Sequence, residues 1–221
     1  MWTAGSRVVV LGAGGHGSEV RGYILDLLHQ GWAGDFLGFV DDAQPPGLLD
    51  TLEIIGSLAQ LAARPPDFLR GVRYLTAVGS NPVRRELVKR IEETLRDMVA
   101  PWTLIHPSAS VGPSEIGEGT LLAPGTIVTS RTRIGRHCIL NVKASVSHDC
   151  EIGDFVNLNP GATVCGQCRI GDGAYIGAGA TVIDHVNIGE GTIIGAGAVV
   201  IHDIPPRVTA VGVPARITKA H

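Results

Sequence analysis

Residues 152–187 read IGDFVN-LNPGAT-VCGQCR-IGDGAY-IGAGAT-VIDHVN, six hexapeptides that each begin with an aliphatic residue. The rule extends beyond this stretch, because every sixth residue from Ile116 to Val200 is Ile, Leu or Val. A period of six fits neither the 3.6-residue period of a helix nor the two-residue alternation of a strand. It predicts a backbone that turns a corner once per hexapeptide and points one aliphatic side chain inward. Such repeats are typical of a parallel β-helix, and we expect a left-handed one here.

Three hexapeptides make one triangular coil of 18 residues, so residues 116–205 predict five coils. Before Ile116 the spacing slips, because Val111 and Ile116 are only five residues apart, and the first coil is expected to be irregular. Glycine often follows the inward aliphatic residue. These glycines are expected at tight corners that need a positive φ or a close approach of the backbone.

The first half of the chain alternates β-branched runs with amphipathic segments, which favours a small parallel sheet flanked by helices. We therefore predict a Rossmann-like α/β domain at 1–103 and an all-β left-handed β-helix domain at 104–221. The predicted strands are 7–11, 36–40 and 74–78, and the predicted helices are 18–30, 58–63 and 83–96.

The charge pattern narrows the possible partners and location. The formal net charge is -3 with both signs scattered, so no basic stripe suggests nucleic-acid binding. No apolar run approaches the ~20 residues of a membrane span. Residues 1–7 lack a charged segment followed by an apolar one, so no signal peptide is expected. The protein is expected in the cytoplasm with its cysteines reduced.

The pair Cys165 and Cys168 has the CxxC spacing of a metal or redox site. The repeat favours a structural explanation, because Cys138, Cys150 and Cys168 all fall on the small inward position of their hexapeptides. No metal site is predicted.

The chain as a whole resembles the bacterial nucleotide-sugar acetyltransferases of the hexapeptide-repeat superfamily. This group includes UDP-4-amino-sugar and GDP-perosamine N-acetyltransferases and sialic acid O-acetyltransferases. The resemblance spans nearly the whole chain and rests on short motifs in a specific order: GAGGHG at 12–17, GFVDD at 38–42, VGSN at 78–81, SHDC at 147–150, IGDF at 152–155, PGA at 160–162 and VGVPA at 211–215.

The resemblance implies acetyl-CoA as cosubstrate, bound in a groove between adjacent subunits of a homotrimer. It implies that His148 is the general base and that Asp149 orients its imidazole. From the repeat alone, a solvated surface His-Asp pair would be favoured. Gly166 lies one coil after His148, where it is expected to leave room for a thioester and to offer its N–H to the carbonyl oxygen.

Other positions carry expectations from the same resemblance. Ala178 and Ala196 match residues that line the CoA arm, and Asn141 matches one near the sugar. Asn157 stands where many relatives have a histidine near the acetyl group. An amide can still donate a hydrogen bond there, and the change could mark a different acceptor.

The amino-terminal half contains a glycine-rich turn between a strand and a helix, a context that suits phosphate binding. By resemblance, this turn and the acidic pair after the second strand hold a nucleoside diphosphate sugar, which is UDP- or GDP-linked. Gly79, Asn81 and Arg84 are expected to close that pocket. The expected substrate-binding residues of the turn and the acidic pair are Gly14, Gly15, His16, Gly17, Asp41 and Asp42.

Four functions remain open from the sequence. The first is N-acetylation of a nucleotide-linked 4-amino-4,6-dideoxysugar, and the alternative in the same class is O-acetylation of a sugar such as sialic acid. A zinc enzyme of the γ-carbonic anhydrase type would need three histidines, but Ser130 and Gly166 flank His148 at 18-residue spacing. An NAD-dependent enzyme is disfavoured because about 100 residues are too few for a full dinucleotide fold.

Overall fold

The computed structural model describes residues 6–221. Residues 1–5, on which part of the signal-peptide expectation rests, lie outside the described residues. The chain divides into two compact units, the first ending at Thr103 and the second running Leu104–His221. Within residues 6–221, no helix is both long and apolar enough to cross a membrane.

The first unit is a six-stranded sheet in the order β3-β4-β2-β1-β5-β6, in which only the β3–β4 pair is antiparallel. Its core comes from the continuous apolar run of β1, where Val8, Val9 and Val10 are fully buried. The elements are β1 (Arg7–Leu11), α1 (Gly15–His29), β2 (Asp35–Val40), β3 (Gly47–Leu49), β4 (Leu52–Gly56), α2 (Leu58–Ala62), α3 (Pro66–Leu69), β5 (Val72–Thr76), α4 (Asn81–Leu95), a 3-10 turn (Arg96–Met98) and β6 (Val99–Pro101).

The α/β architecture predicted for this half is confirmed, although three strands escaped the sequence pattern. Strands β3 and β6 have only three residues each and lie at the two edges of the sheet, whereas β4 has five residues and lies next to the β3 edge. The helix α3 was not predicted; it begins at Pro66, because proline at the first helical position loses no intrahelical hydrogen bond.

The second unit is a left-handed parallel β-helix, as the hexapeptides predicted, built from two-residue strands that visit three faces in turn. The strands are β7 (Leu104–Ile105), β8 (Ser110–Val111), β9 (Glu115–Ile116), β10 (Leu121–Leu122), β11 (Ile127–Val128), β12 (Arg133–Ile134), β13 (Ile139–Leu140), β14 (Ser145–Val146), β15 (Glu151–Ile152), β16 (Asn157–Leu158), β17 (Thr163–Val164), β18 (Arg169–Ile170), β19 (Tyr175–Ile176), β20 (Thr181–Val182), β21 (Asn187–Ile188), β22 (Ile193–Ile194) and β23 (Val199–Val200). β24 (Val208–Val211) and β25 (Arg216–Ala220) then close the first face with an antiparallel pair.

Successive coils stack in the predicted register over most of the β-helix, but both ends depart from it. Leu104 pairs with Leu121, so the first coil is one residue short, and the expected irregularity is confirmed. Ile188 bridges to Ile204 rather than to residue 206, so the last coil is two residues short. The prediction of regular 18-residue spacing to residue 205 is wrong there. Asp203 Oδ1 accepts a hydrogen bond from the Asn187 amide, which is only 16 residues earlier in the chain.

The small inward positions form a ladder of hydroxyl and thiol groups. Thr132 Oγ1 donates to the Ser147 carbonyl at 2.7 Å, and the Cys150 thiol makes the equivalent bond to the Cys165 carbonyl at 3.0 Å. Cys168 donates to Ile183 in the same way. Each bond runs from one coil to the next, so these cysteines take the place of threonine and satisfy corner carbonyls inside the core.

The glycines of the repeat serve two separate purposes. The glycine directly after the inward aliphatic, as at Gly153, is needed for space: a Cβ there would lie 2.7 Å from the Asp172 nitrogen. The positive φ occurs two residues further on, at Gly161 (69°) and also at Lys143 (58°) and Asp149 (58°). Corners therefore tolerate other residues at a positive φ, whereas the crowded position requires glycine.

Candidate active site

The corner between the second and third faces of the β-helix, here called the His148 corner, carries the histidine singled out from the sequence. It follows the strand ending at Val146, so its side chain points outward while Val146 fills the core. Successive coils place Ser130, His148, Gly166 and Asp184 at the same register, as the repeat predicted.

His148 and Asp149 form a close pair. Nδ1 of His148 lies 2.7 Å from Oδ2 of Asp149, while the histidine side chain is 51% exposed. The positive φ of Asp149, 58°, allows the carboxylate to fold back onto the preceding imidazole. An imidazole held through Nδ1 has a fixed tautomer, with Nε2 available as a proton acceptor. The pairing expected from the resemblance is thus present in the structure.

Arg131 is a third member of this cluster that the sequence reasoning missed. Its Nε and one terminal nitrogen donate to the two carboxylate oxygens of Asp149 at 2.7 and 2.8 Å. Hydrogen bonds from Arg131 first, and from His148 second, hold the pKa of Asp149 far below its usual range. The sequence contained the signal, because Arg131 stands exactly one coil before Asp149.

Gly166 lies against the imidazole one coil later. A Cβ at Gly166 would come within 2.8 Å of Cε1 and 2.9 Å of Nε2 of His148, so glycine makes room for the ring itself. The Gly166 N–H donates to Oδ1 of Asp184 at 2.9 Å. The Asp184 carboxylate therefore holds this amide, and the expectation that the amide faces a carbonyl oxygen stays a prediction.

The same use of aspartate recurs along the β-helix, so Asp184 could have been anticipated. Asp154 Oδ1 accepts the Arg136 amide, and Asp172 Oδ1 accepts the Asp154 amide. In each case a corner aspartate bonds the backbone one coil earlier. An aspartate one coil after a corner residue is thus a sequence signal that the amide of that residue is hydrogen-bonded.

The remaining β-helix residues are placed as follows. Asn157 is 3% exposed on the first face and hence is far less open than His148. Asn141 and Asn159 lie one coil apart, but their side chains serve the backbone: Asn141 Oδ1 accepts from the Val142 amide, and Asn159 donates to the Ile176 carbonyl. Ala178 and Ala196 are exposed at equivalent positions on consecutive coils of another corner.

A groove of about 290 Å³ lies beside Asp149 and extends over the third face. Its lining is polar and includes Glu151, Gln167, His185 and Asn187. None of these side chains was singled out from the sequence, because outward polar residues on a β-helix carry no periodic signal of their own.

In the first unit, the glycine-rich turn packs as the strand-turn-helix context predicted. Gly14 caps α1, and open space surrounds the positions where Gly14, Gly15 and Gly79 would carry a Cβ. A Cβ at Gly17 would lie 2.4 Å from the Gly12 carbonyl oxygen, so this glycine lets the helix sit directly on the turn.

Asp41 and Asp42 organise the carboxyl end of β2. Asp41 Oδ2 accepts the Ala13 amide at 2.8 Å, which ties the acidic residue to the glycine-rich turn. Asp42 accepts the Leu58 amide and an Arg90 hydrogen bond, and these lower its pKa, the Leu58 bond most. Both aspartates line a pocket of about 460 Å³ within this unit.

His16 and Asn81 differ in how much they face that region. His16 Nδ1 lies 2.8 Å from Glu19, while its Nε2 is buried and has no hydrogen-bond partner among the described residues. Asn81 was expected to contact substrate, but it is 7% exposed and its Oδ1 accepts from Arg84. Arg84, fully buried, also donates to the Val78 carbonyl, so this pair holds the loop after β5. The expectation that Asn81 and Arg84 help to close the nucleotide-sugar pocket stays a prediction.

Two family profiles match the chain. The PglD N-terminal domain matches residues 7–91, and the bacterial transferase hexapeptide family (six repeats) matches residues 167–202. The chain is also 35% identical over 144 residues to GDP-perosamine N-acetyltransferase of Escherichia coli O157:H7. That match covers 64% of this chain and spans 62% of the relative's length.

Solved structures match over nearly the full length. PerB from Caulobacter crescentus, in complex with CoA and GDP-perosamine, is 33% identical, with a TM-score of 0.84 and 98% of each chain covered. The acetyltransferase domain of PglB from Neisseria gonorrhoeae FA1090, in complex with acetyl coenzyme A, is 30% identical, with a TM-score of 0.84 and coverage of 97% of this chain and 100% of that one. Fold, motifs and relatives agree: the chain belongs to the bacterial nucleotide-sugar acetyltransferase family of the hexapeptide-repeat superfamily.

Proposed function

We propose that this protein transfers the acetyl group of acetyl-CoA to the amino group of a nucleotide-linked 4-amino-4,6-dideoxysugar. The observation that carries the proposal is the half-exposed imidazole of His148, tied through Nδ1 to Asp149 at 2.7 Å. Such a group is suited to take a proton from an attacking amine. The activities named for the relatives, N-acetylation of perosamine among them, support an amino-sugar acceptor.

In the proposed reaction the amine nitrogen attacks the thioester carbonyl. A C–N bond forms and the C–S bond breaks, Nε2 of His148 takes the proton from the amine, and CoA leaves as a thiolate that is then protonated. Asp149 accepts the Nδ1–H throughout and stabilises the imidazolium. Since Asp184 holds the Gly166 amide at 2.9 Å, that amide would serve the developing oxyanion only after the carboxylate turns away.

We assign the CoA arm to the corner that exposes Ala178 and Ala196, whose small side chains leave the backbone accessible. Asn157 and Asn141 keep their proposed places near the acetyl group and the sugar, and both assignments rest on the resemblance to the family. PerB binds CoA and the PglB domain binds acetyl coenzyme A, and this shared coenzyme supports the choice of donor.

The nucleotide part of the substrate is proposed to bind the first unit. Support comes from the pocket of about 460 Å³ that Asp41 and Asp42 line, and from the open space at Gly14 and Gly15 on the amino end of α1. Backbone N–H groups at a helix amino end favour phosphate. Gly79 lies in similarly open space on the following loop.

We further propose a cytoplasmic homotrimer. Within residues 6–221 the four cysteines form no disulfide, and three of them are buried, which suits a reducing compartment. A sedimentation or light-scattering mass three times that of the chain would support the trimer, whereas a monomer at working concentration would contradict it.

The decisive experiment measures thiol release from acetyl-CoA with UDP- and GDP-linked 4-amino-4,6-dideoxysugars, for the wild type and His148→Ala. Turnover on one of these sugars, reduced at least ~100-fold in the variant, would support both the acceptor class and the base. Turnover only on a hydroxyl sugar such as sialic acid would replace the proposal with O-acetylation. Unchanged turnover in the variant would refute the role of His148.

A further inference from the structure

Arg131, Asp149 and His148 form a continuous chain of charge-assisted hydrogen bonds. Arg131 and Asp149 occupy the same corner register one coil apart, and both have a positive φ, 53° and 58°. The guanidinium faces the carboxylate through two bonds of 2.7 and 2.8 Å, while Oδ2 of the same carboxylate reaches His148 Nδ1. The planar fork of arginine fixes both oxygens of the carboxylate at once.

This arrangement differs from the other ion pairs along the third face. Arg133 meets Glu115 at 3.0 Å and Arg169 meets Glu151 at 3.3 Å, and neither pair contacts a histidine. Exposed ion pairs of this kind contribute little to stability. Arg131 is itself 68% exposed. Stability therefore does not explain why Arg131 forms two hydrogen bonds to Asp149. Holding the Asp149 carboxylate in one orientation does explain it.

The guanidinium also changes how Asp149 acts on the imidazole. A lone carboxylate beside a histidine both orients the ring and favours its protonated form. A carboxylate already neutralised by arginine keeps the orienting hydrogen bond but attracts the proton less. A general base must be oriented and also unprotonated when the acceptor binds. It therefore benefits from a carboxylate that orients the ring without strongly stabilising its protonated form.

We propose that Arg131 is a positioning residue, which locks the Asp149 carboxylate against Nδ1 of His148 and offsets the negative charge that the imidazole meets. The inference rests on the proposed function, in which His148 is the base. Arg131 acts through Asp149 and touches neither substrate nor reacting atoms.

The other charged and titratable groups around His148 are on the following coils. Oδ1 of Asp184 lies 3.2 Å from the site of a Gly166 Cβ, the same point that Cε1 and Nε2 of His148 approach at 2.8 and 2.9 Å. Burial and the negative charge of Asp184 raise the pKa of Cys165, so that thiol stays neutral at neutral pH. His185, Glu151 and Arg169 line the groove beside Asp149. Arg131 alone in this set bonds Asp149 with two nitrogens.

The test follows the His148 imidazole by NMR titration of the full-length protein without substrate, in the wild type, Arg131→Met and Arg131→Lys. Removing the guanidinium is expected to move the titration midpoint of His148 to higher pH by about 0.5, the effect of one nearby charge across a solvated corner. Lysine restores the positive charge but not the planar guanidinium that bonds both carboxylate oxygens. It is expected to restore the midpoint while kcat stays lowered, and kcat in the methionine variant is expected to fall about tenfold.

Arg133→Met is the matched control, because it removes an arginine two residues away from the same face without touching Asp149. It should leave both the midpoint and kcat unchanged.

An unmoved midpoint in Arg131→Met, with folding verified by circular dichroism, would overturn the inference. An equal shift in Arg133→Met would do the same, because it would indicate a general surface effect. These readouts need no turnover, so they stay separate from the proposed function, which falls if His148→Ala keeps its acetyltransferase activity.

Discussion

Nδ1 of His148 lies 2.7 Å from Oδ2 of Asp149, the very next residue, because Asp149 adopts a φ of 58° at the corner of the β-helix. In an extended strand these two side chains would point to opposite faces. The left-handed corner brings them together and leaves Nε2 beside Gly166. The pair is thus a product of the coil geometry and sits on a rigid scaffold of stacked strands.

Replacing His148 by alanine is expected to lower kcat at least ~100-fold, because the general base is lost. His202→Ala is a suitable control, since His202 occupies the same corner three coils later and is exposed. Steady-state thiol release at saturating substrates measures both variants. Equal losses in the two would point to a general effect on the corner instead of a catalytic role for His148.

The acid side of the pH–rate profile is expected to contain no contribution from the titration of Asp149. Bonds from Arg131 and His148 keep the pKa of Asp149 far below its usual range, so Asp149 stays ionised between about pH 4 and pH 8. A group whose pKa is lowered by folding contributes stability above its unfolded pKa, and that contribution is lost only in strong acid. The acceptor amine and the general base can each contribute one proton to log kcat/KM, so a slope above two between pH 4 and pH 7 would contradict this assignment.

Gly166→Ala is expected to lower kcat about 100-fold while the β-helix stays folded. The added Cβ would approach Cε1 and Nε2 of His148 within 2.9 Å, so the imidazole must shift by roughly an ångström. Gly166 has no positive φ, so alanine causes no backbone strain. Activity is measured alongside the thermal midpoint, and wild-type kcat in the variant would mean that the ring position is not critical.

The two kinds of corner glycine predict opposite tolerance to asparagine. Gly161→Asn should cost about 1 kcal/mol or less, because Asn accepts a positive φ and nothing lies within 4 Å of the new Cβ. Gly153→Asn should cost about 3 kcal/mol, because its Cβ would lie 2.3 Å from Asp172 Oδ1 and 2.7 Å from the Asp172 nitrogen. Chemical denaturation of both variants checks the order, and a reversed order would refute the distinction.

Asp41→Ala is expected to weaken nucleotide-sugar binding about tenfold or more, because the Ala13 amide loses its partner at 2.8 Å and the glycine-rich turn loosens. Calorimetric titration with UDP- and GDP-linked sugars measures the effect. Asp67→Ala, an exposed aspartate in α3, serves as control. Unchanged affinity in Asp41→Ala would move the nucleotide site elsewhere.

Repetition explains how well the β-helix could be predicted. Each hexapeptide needs one aliphatic side chain that points into the core. The register of the β-helix can therefore be predicted from short stretches of sequence. The prediction failed only after Val200, where Asp203 and the bridge at Ile204 shorten the coil. In the first unit the buried central strands were predicted, while the three-residue edge strands β3 and β6 and the five-residue strand β4 were missed.

The candidate site was predictable where residues are adjacent and less so where they meet across coils. His148 and Asp149 are neighbours in a motif shared with relatives. Arg131 and Asp184 join the site only through stacking, and each could be found only by comparing residues one coil apart. The burial of Asn81 and the hydrogen bond that its Oδ1 accepts from Arg84 could likewise be seen only in the structure.

The sequence by itself determined the architecture, the family and the inward and outward sides of the β-helix, because those follow from local periodicity and short motifs. Only the tertiary structure decided which polar groups already have hydrogen-bond partners and which are buried. It showed that Asp184 holds the Gly166 amide, that Arg131 grips Asp149 with two nitrogens, and that Asn157 is buried. Hydrogen-bond partners and exposure depend on distances between coils, and no single hexapeptide contains them.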